Sequence, residues 1–249
     1  MFEKTDSSET GNRNAQQGDG KQEPVVRLTD ARLSYPAVGG EDAGRDEVMV
    51  LRGIDMTVGA GEIVAVTGPS GSGKSSLISV IGGLERPTGG MVEVLGTDLD
   101  RANEAARTEL RRRGIGIVFQ SFHLVPAMSA LQNASLPLML AGEVEAEAKA
   151  ARMLDRVGLS HRLTHRPSAL SGGEQQRVAI ARAFAAGPRL ILADEPTGNL
   201  DQATGDEVVR VMFDLVRDTG ASMLLVTHDP ALAEKCDRTI AIDNGRVRS

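Results

Sequence analysis

Apolar and polar positions along the chain fall into three regimes. Residues 1–23 are polar, rich in Gly, Asn, Gln and Ser, and lack periodicity, which predicts a disordered tail. Short alternating segments begin at "PVVRLTDARLSY" and resume after a polar break at 39–47. "VMVLRGIDMTV" predicts a pair of strands and "EIVAVTG" another, so a β-rich layer is expected. "GKSSLISVIGGL" then changes to helical spacing, with Leu77, Ile78, Ile81 and Leu84 on one side. From about 97 to 165 the pattern is mostly helical. There Val144, Ala148, Ala151, Leu154 and Val157 mark one face, and Gly158 can end the helix. Past Ser171 a β/α alternation follows: helix 171–186, strand "LILA", helix near 202–217, strand "SMLLVT", helix near 230–235 and strand "RTIAI". Near-continuous apolar strands between helices predict a parallel sheet covered on both faces. No internal repeat points to a second copy of the core.

The 249 residues suit one large α/β domain or one core with a subdomain. A formal net charge of −6 argues against nucleic-acid binding through bulk charge. Aromatics at 2% argue against stacking platforms for single strands and against a membrane-interface belt. No apolar run reaches the ~20 residues that span a bilayer, so direct membrane insertion is not expected. The N-terminal stretch has no apolar core of a signal peptide. The single cysteine, Cys236, excludes an internal disulfide and reads as a packing residue in a reducing cytoplasm. "RRR" at 111–113 reads as a solvated helix end favoured by the helix dipole.

Chemistry enters with "GPSGSGKSS": Gly68, Pro69, Ser70, Gly71, Ser72, Gly73, Lys74, Ser75 and Ser76. The stretch fits G-x-x-x-x-G-K-[ST], follows the apolar strand "EIVAV" and opens a helix. The glycines let backbone N–H groups face phosphates, and the helix N-terminus adds a positive field. Lys74 would contact the β- and γ-phosphates of a nucleoside triphosphate, and Ser75 would hold Mg²⁺. "RLILADEP" supplies Asp194 at a strand's carboxyl end for the metal, and Glu195 beside it to activate a water. The expected fold class is α/β: a P-loop NTPase core with a mostly parallel sheet, an antiparallel β subdomain and an inserted α-helical subdomain at about 97–165.

"LSGGEQQ" poses a separate question. Ser171 and Glu174 have the spacing of a capping box. Gly172 and Gly173 weaken that first helical turn by about 1 kcal/mol each relative to Ala, so something should need close access there.

Local matches in the family's order between residues 35 and 228 resemble the ATP-binding subunit of an ABC transporter. "LSGGEQQ" lies between the P-loop and "ILADEP", followed by "GNLD" at 198–201 and "TH" with His228, while "VFQS" carries Gln120. The resemblance implies a head-to-tail pair with a second copy of the chain. In it Ser171, Gly172, Gly173 and Glu174 of one subunit act on ATP held by the other, the glycines letting backbone approach phosphate. It also implies that Tyr35 stacks on adenine, Gln120 touches Mg²⁺ or the water, His228 contacts the γ-phosphate and Asp201 communicates between the two sites. By itself, Asp201 could simply cap a helix.

The stretch "SFHLVPAMSALQNASLPLMLAG" at 121–142 and "DEPTGNLD" resemble the lipoprotein-release and macrolide-export type, which includes a cell-division relative. That type implies an integral membrane permease subunit as partner, with residues 121–142 as its docking place. It also implies a cytoplasmic ATPase held peripherally at the inner face of the membrane. The alternative is an ATPase of a non-transport complex that controls an extracytoplasmic enzyme. "LSGGEQQ" counts against a P-loop kinase.

Overall fold

The computed structural model describes residues 23–36 and 47–248. The expected tail (except Glu23) and the polar break at 39–46 lie outside the described residues.

Two sheets share the molecule. The first is antiparallel, in the order β2 (Glu47–Val58), β1 (Val26–Pro36), β4 (Gly89–Val94), β5 (Thr97–Asp98). The second runs β10 (Arg246–Val247), β9 (Arg238–Asp243), β3 (Ile63–Thr67), β8 (Ser222–Val226), β7 (Leu190–Asp194), β6 (Ile115–Phe119). All of its pairs are parallel except β10 with β9.

The apolar runs of the second sheet are continuous because each face meets a different core. Leu190, Leu192, Leu224 and Val226 pack with α1 (Lys74–Ile81) and the antiparallel sheet. Ile191, Ala193, Met223 and Leu225 point the other way. They meet Val178, Ile180 and Phe184 of α5 (Gly172–Phe184) and Val208, Met212 and Phe213 of α6 (Gln202–Thr219). A strand buried on both faces has no polar side to alternate with.

α2 (Glu104–Gly114) carries Arg111, Arg112 and Arg113 in its last turn, as the dipole argument expects. α3 (Ala130–Leu140) starts in a capping box of Ser129 and Gln132, and α4 (Ala146–Arg156) packs beside it and against α5. α7 (Pro230–Ala233) follows β8.

The structure corrects the sequence reading in four places. "VMVLRGIDMTV" is one strand, not a pair. Gly53 (φ +88°) faces Asp30 (φ +48°) where the β1–β2 register shifts, so this glycine marks a bulge rather than a turn. Within the stretch read as mostly helical, Ile115–Phe119 is the edge strand β6 of the parallel sheet. α2 runs into it at Gly114 with no intervening turn residues, so the pattern gave no break. In α4 the buried positions are Ala146, Ala150 and Leu154, followed by Val157, and Val144 is fully exposed before the helix begins. Alanines on several sides blurred that face. Leu84 lies beyond the end of α1 and is exposed. Cys236 is half-buried beside the α5/α6 core, and burial pushes its thiol up to about 11, in keeping with a packing role.

Candidate functional site

Strand order fixes where the site forms. Phe119, Asp194 and Val226 are aligned across β6, β7 and β8, and Val226 is level with Val66 of β3. Whatever follows these strands therefore emerges side by side at one carboxyl edge, where α/β sheets place ligands. The chain puts Gln120, Glu195, His228 and the phosphate loop there.

The loop Gly68–Gly73 depends on glycine geometry. Gly68 has φ +149°, and a Cβ there would lie 2.0 Å from the Ile242 carbonyl oxygen. Gly73 caps α1 at φ +100°, with a Cβ position 3.0 Å from the Val50 carbonyl oxygen. Lys74 is 7% exposed, and its Nζ donates to the carbonyls of Gly68 (2.9 Å) and Pro69 (2.8 Å). The ammonium is thus held inside the curve of the loop. A cleft of about 290 Å³ opens here, lined by Ser70, Gly71, Lys74, Ser75, Ser76 and Glu195 among others.

Asp194 ends β7, where burial pushes its carboxyl above the ordinary value. A hydrogen bond from Ser75 works against that rise, and the neighbouring Glu195 charge adds to it. Glu195 sits in the left-handed region at φ +44°. Its N–H donates to Val226 O and its carbonyl accepts from Gly198 N–H, both at 3.0 Å. His228 Nδ1 lies 3.2 Å from Glu195 Oε2 with its ring largely exposed. A hydroxyl hydrogen-bonded to a half-buried carboxylate, with a lysine nearby and few other carboxylates, fits Mg²⁺, which takes one or two carboxylates plus phosphate oxygens.

The other expected residues divide. Tyr35, at the end of β1, donates from its hydroxyl to Glu85 and lies near Ser76 at the start of α1, the residue 40% exposed. The Glu85 bond, then burial, raise its pKa. Gln120 is engaged with the "GNLD" segment: its Nε2 donates to Asn199 Oδ1 (3.3 Å), and its carbonyl accepts from Asn199 Nδ2 (3.0 Å). Asp201 is the N-cap of α6 and accepts from Thr204 N–H at 3.1 Å. It also shares a second cleft of about 550 Å³ with Glu195, Gly198 and His228.

Ser171 and Glu174 form the expected capping box: Ser171 Oγ accepts from Glu174 N–H (3.2 Å), and Glu174 Oε2 accepts from Ser171 N–H (2.8 Å). The Ser171 N–H is the main cause that holds the Glu174 carboxyl below its ordinary value, and Arg162 Nε donates to it at 2.8 Å. The four residues 171–174 do not line the phosphate cleft of their own chain.

The two glycines have a reason within one chain that the sequence reading lacked. A Cβ on Gly173 would fall 2.3 Å from Thr204 Cγ2, and one on Gly172 would fall 3.2 Å from Leu200 Cδ2. Close packing on Thr204 of α6 thus favours glycine at 173 before any phosphate is considered, whereas at 172 the tip of the Leu200 side chain need only give way slightly. Sequence reasoning also missed Gln176 and Arg182 of α5. Gln176 is fully buried. Arg182 donates to the carbonyls of Phe122 (2.8 Å) and His123 (2.6 Å), two residues with left-handed φ just after Gln120.

Residues 51–198 match the ABC transporter family. The lipoprotein-releasing system ATP-binding protein LolD 2 of Caulobacter vibrioides is 46% identical over 227 residues, covering 90% of this chain and 97% of that protein. The uncharacterized ABC transporter ATP-binding protein YbbA of Escherichia coli is also 46% identical, covering 90% and 98%. Among solved structures, the dimeric post-hydrolysis state of the ATP-binding cassette MJ0796 bound to ADP and Pi superposes with a TM-score of 0.80. It is 35% identical and covers 90% of this chain and 97% of that one.

Proposed function

The chain belongs to the ABC transporter family as an ATP-hydrolysing subunit, and on that premise we propose that it drives a lipoprotein-releasing membrane complex by closing as a head-to-tail dimer on ATP. One observation carries the dimer: the phosphate cleft holds Lys74, Ser75 and Glu195, while the helix start at Ser171–Glu174 lies outside it. A helix N-terminus with a free approach is an anion site, and a second copy would bring it to the cleft.

In this reading Lys74 exchanges its two loop carbonyls for phosphate oxygens, and the backbone N–H groups of residues 70–76 orient them. Ser75 and Asp194 would hold Mg²⁺, which would neutralise the charge that develops on the phosphates. Glu195 takes the proton of the attacking water. His228, 3.2 Å from Glu195, would orient that carboxylate and contact the terminal phosphate. Tyr35 supports the adenine. Gln120 and Asp201, both tied to residues 198–204, relay the state of the cleft along the dimer face.

The permease would dock between α2, β6, α3 and α5. An apolar groove there is lined by Ile117, Leu136, Pro137 and Leu140, with Arg111 and Arg182 at its polar side. Met139, Leu140 and Val144 expose apolar surface at the same tip. Among the described residues no helix is long and apolar enough to cross a membrane, so attachment to the inner face would come through that groove.

Mixing two variants tests the shared site. Lys74→Ala breaks the loop and leaves the 171–174 helix start, and Ser171→Arg does the reverse. Each alone should be nearly inactive, because both sites of its homodimer are broken. Mixed in the assembled complex, the heterodimer has one intact site, so partial recovery of ATPase activity is expected. Normal hydrolysis by Ser171→Arg as a monomer would overturn the reading.

A further inference from the structure

Gln176 is fully buried on α5, one turn beyond the Ser171 cap. Its Nε2 donates to two carbonyls, Pro196 O at 2.6 Å and Phe119 O at 3.3 Å. Pro196 directly follows Glu195, and Phe119 directly precedes Gln120. One amide therefore holds the backbone next to both Glu195 and Gln120, at the two neighbouring strand ends. Its own Oε1 is buried without a partner among the described residues. Leaving a buried acceptor unpaired is a cost, so the side chain is placed for its donors. Those donors meet a backbone that needs holding: Glu195 is a non-glycine residue at φ +44°, a conformation that persists only where its surroundings over-determine it. Val226 and Gly198 fix its N–H and C=O. Pro196 carries the next carbonyl in the chain and has no N–H, so its carbonyl is the remaining backbone handle on this turn.

We infer that Gln176 is a positioning residue for hydrolysis, which ties Glu195 and Gln120 to the helix that begins at Ser171. The inference rests on the reading of Glu195 as the base. It adds a link within the subunit: a shift of α5 when its N-terminus meets phosphate on the partner is passed by one side chain to the chain's own Glu195. Uncoupled, the base keeps its chemistry and loses its placement. Misplacement of a base affects turnover rather than nucleotide affinity.

The test uses the full chain, in the assembled complex where the free subunit is inactive. ATP affinity, kcat and Tm are measured for wild type, Gln176→Met, Gln176→Glu and Glu195→Gln. Gln176→Met keeps the volume and removes the donors. It should lower kcat about 10-fold or more, a part of the 10²–10⁴ that a base contributes, with ATP affinity within about 2-fold. Gln176→Glu offers the same carbonyls a single O–H donor when protonated and only repulsion when ionised. Burial should raise its pKa, so its kcat relative to wild type should climb as pH is lowered from about 8.5 to 6. A merely structural role would lower Tm and leave kcat per folded molecule unchanged. Gln176→Met at wild-type kcat, or a Gln176→Glu ratio flat with pH, overturns the inference. If Gln176→Met does not fold, the pH profile of Gln176→Glu decides alone. Glu195→Gln separates the two readings. If it retains turnover, the assignment of the base fails. If it is inactive while Gln176→Met is normal, only the positioning role fails.

Discussion

Gly173→Ala separates two reasons for a glycine in the first turn of α5. The added methyl would sit 2.3 Å from Thr204 Cγ2, far inside contact distance. Thr204 cannot swing aside easily. It is β-branched, and its N–H is held by Asp201 at the start of α6. Overpacking of this kind costs about 1–3 kcal/mol. Replacing Gly by Ala in a helix returns about 1 kcal/mol, which leaves a net loss of about 0–2 kcal/mol. For a chain of this size each kcal/mol moves Tm by about 2–4 °C. Thr204→Ser removes the clashing methyl and keeps the hydroxyl, at a cost of about 1 kcal/mol for the lost burial. The double variant should therefore be more stable than the sum of the two single changes by about 1–3 kcal/mol, the relieved overpacking, measured as a double-mutant cycle in urea. ATPase activity of the double variant then reads the other reason. If backbone must also approach phosphate at this turn, stability returns and turnover does not. Additive stabilities would refute the packing argument and leave phosphate access as the explanation of Gly173.

Tyr35→Ala should weaken ATP binding by about 1–3 kcal/mol, the scale of a base–aromatic contact, while Tyr35→Phe loses its bond to Glu85 but keeps the ring. Equal losses in an equilibrium binding titration would make Tyr35 a packing residue. Glu174→Gln should cost about 1 kcal/mol at neutral pH through loss of the ion pair with Arg162, because Gln still serves a capping box, as Gln132 does in α3. The folded state holds the Glu174 carboxyl below its ordinary 4.5, so its contribution is present above that pH and is lost as pH falls through the lower folded value. Urea midpoints measured from neutral pH downward should converge for wild type and Glu174→Gln in that acid range, and curves that stay parallel would remove the linkage.

The fold was legible wherever the local pattern had one meaning. Leu190–Ala193 reads as a strand covered on both sides because no polar residue interrupts it, and its alternate side chains do enter different cores. β6 was not legible, although "IGIVF" is as apolar. It follows α2 without a turn, and Gly116 is there to admit α5, with a Cβ position 2.4 Å from the Ala183 carbonyl oxygen. That demand comes from a helix more than sixty residues away. The face of α4 failed for the opposite reason: with alanine at so many positions, more than one stripe satisfies the helical period, and only packing against α3 and α5 chooses among them.

The same division runs through the site. Residues that act through a contiguous loop were visible, because spacing itself encodes the geometry: Gly68, Gly73 and Lys74 must follow one another for a loop to curl around its own lysine. Gln176 belongs to an equally recognisable run, yet its partners, Phe119 and Pro196, stand 57 and 20 residues away, and nothing in "GGEQQR" distinguishes a buried Gln from a solvated one. Its period does give a hint, since Gln176 falls three residues after buried Gly173 and four before Ile180 on the inward stripe of α5. A polar residue on an apolar stripe must either find partners or destabilise the helix. Read that way, the stripe asks what the amide donates to, and the carbonyls beside Gln120 and Glu195 are the answer that the fold supplies.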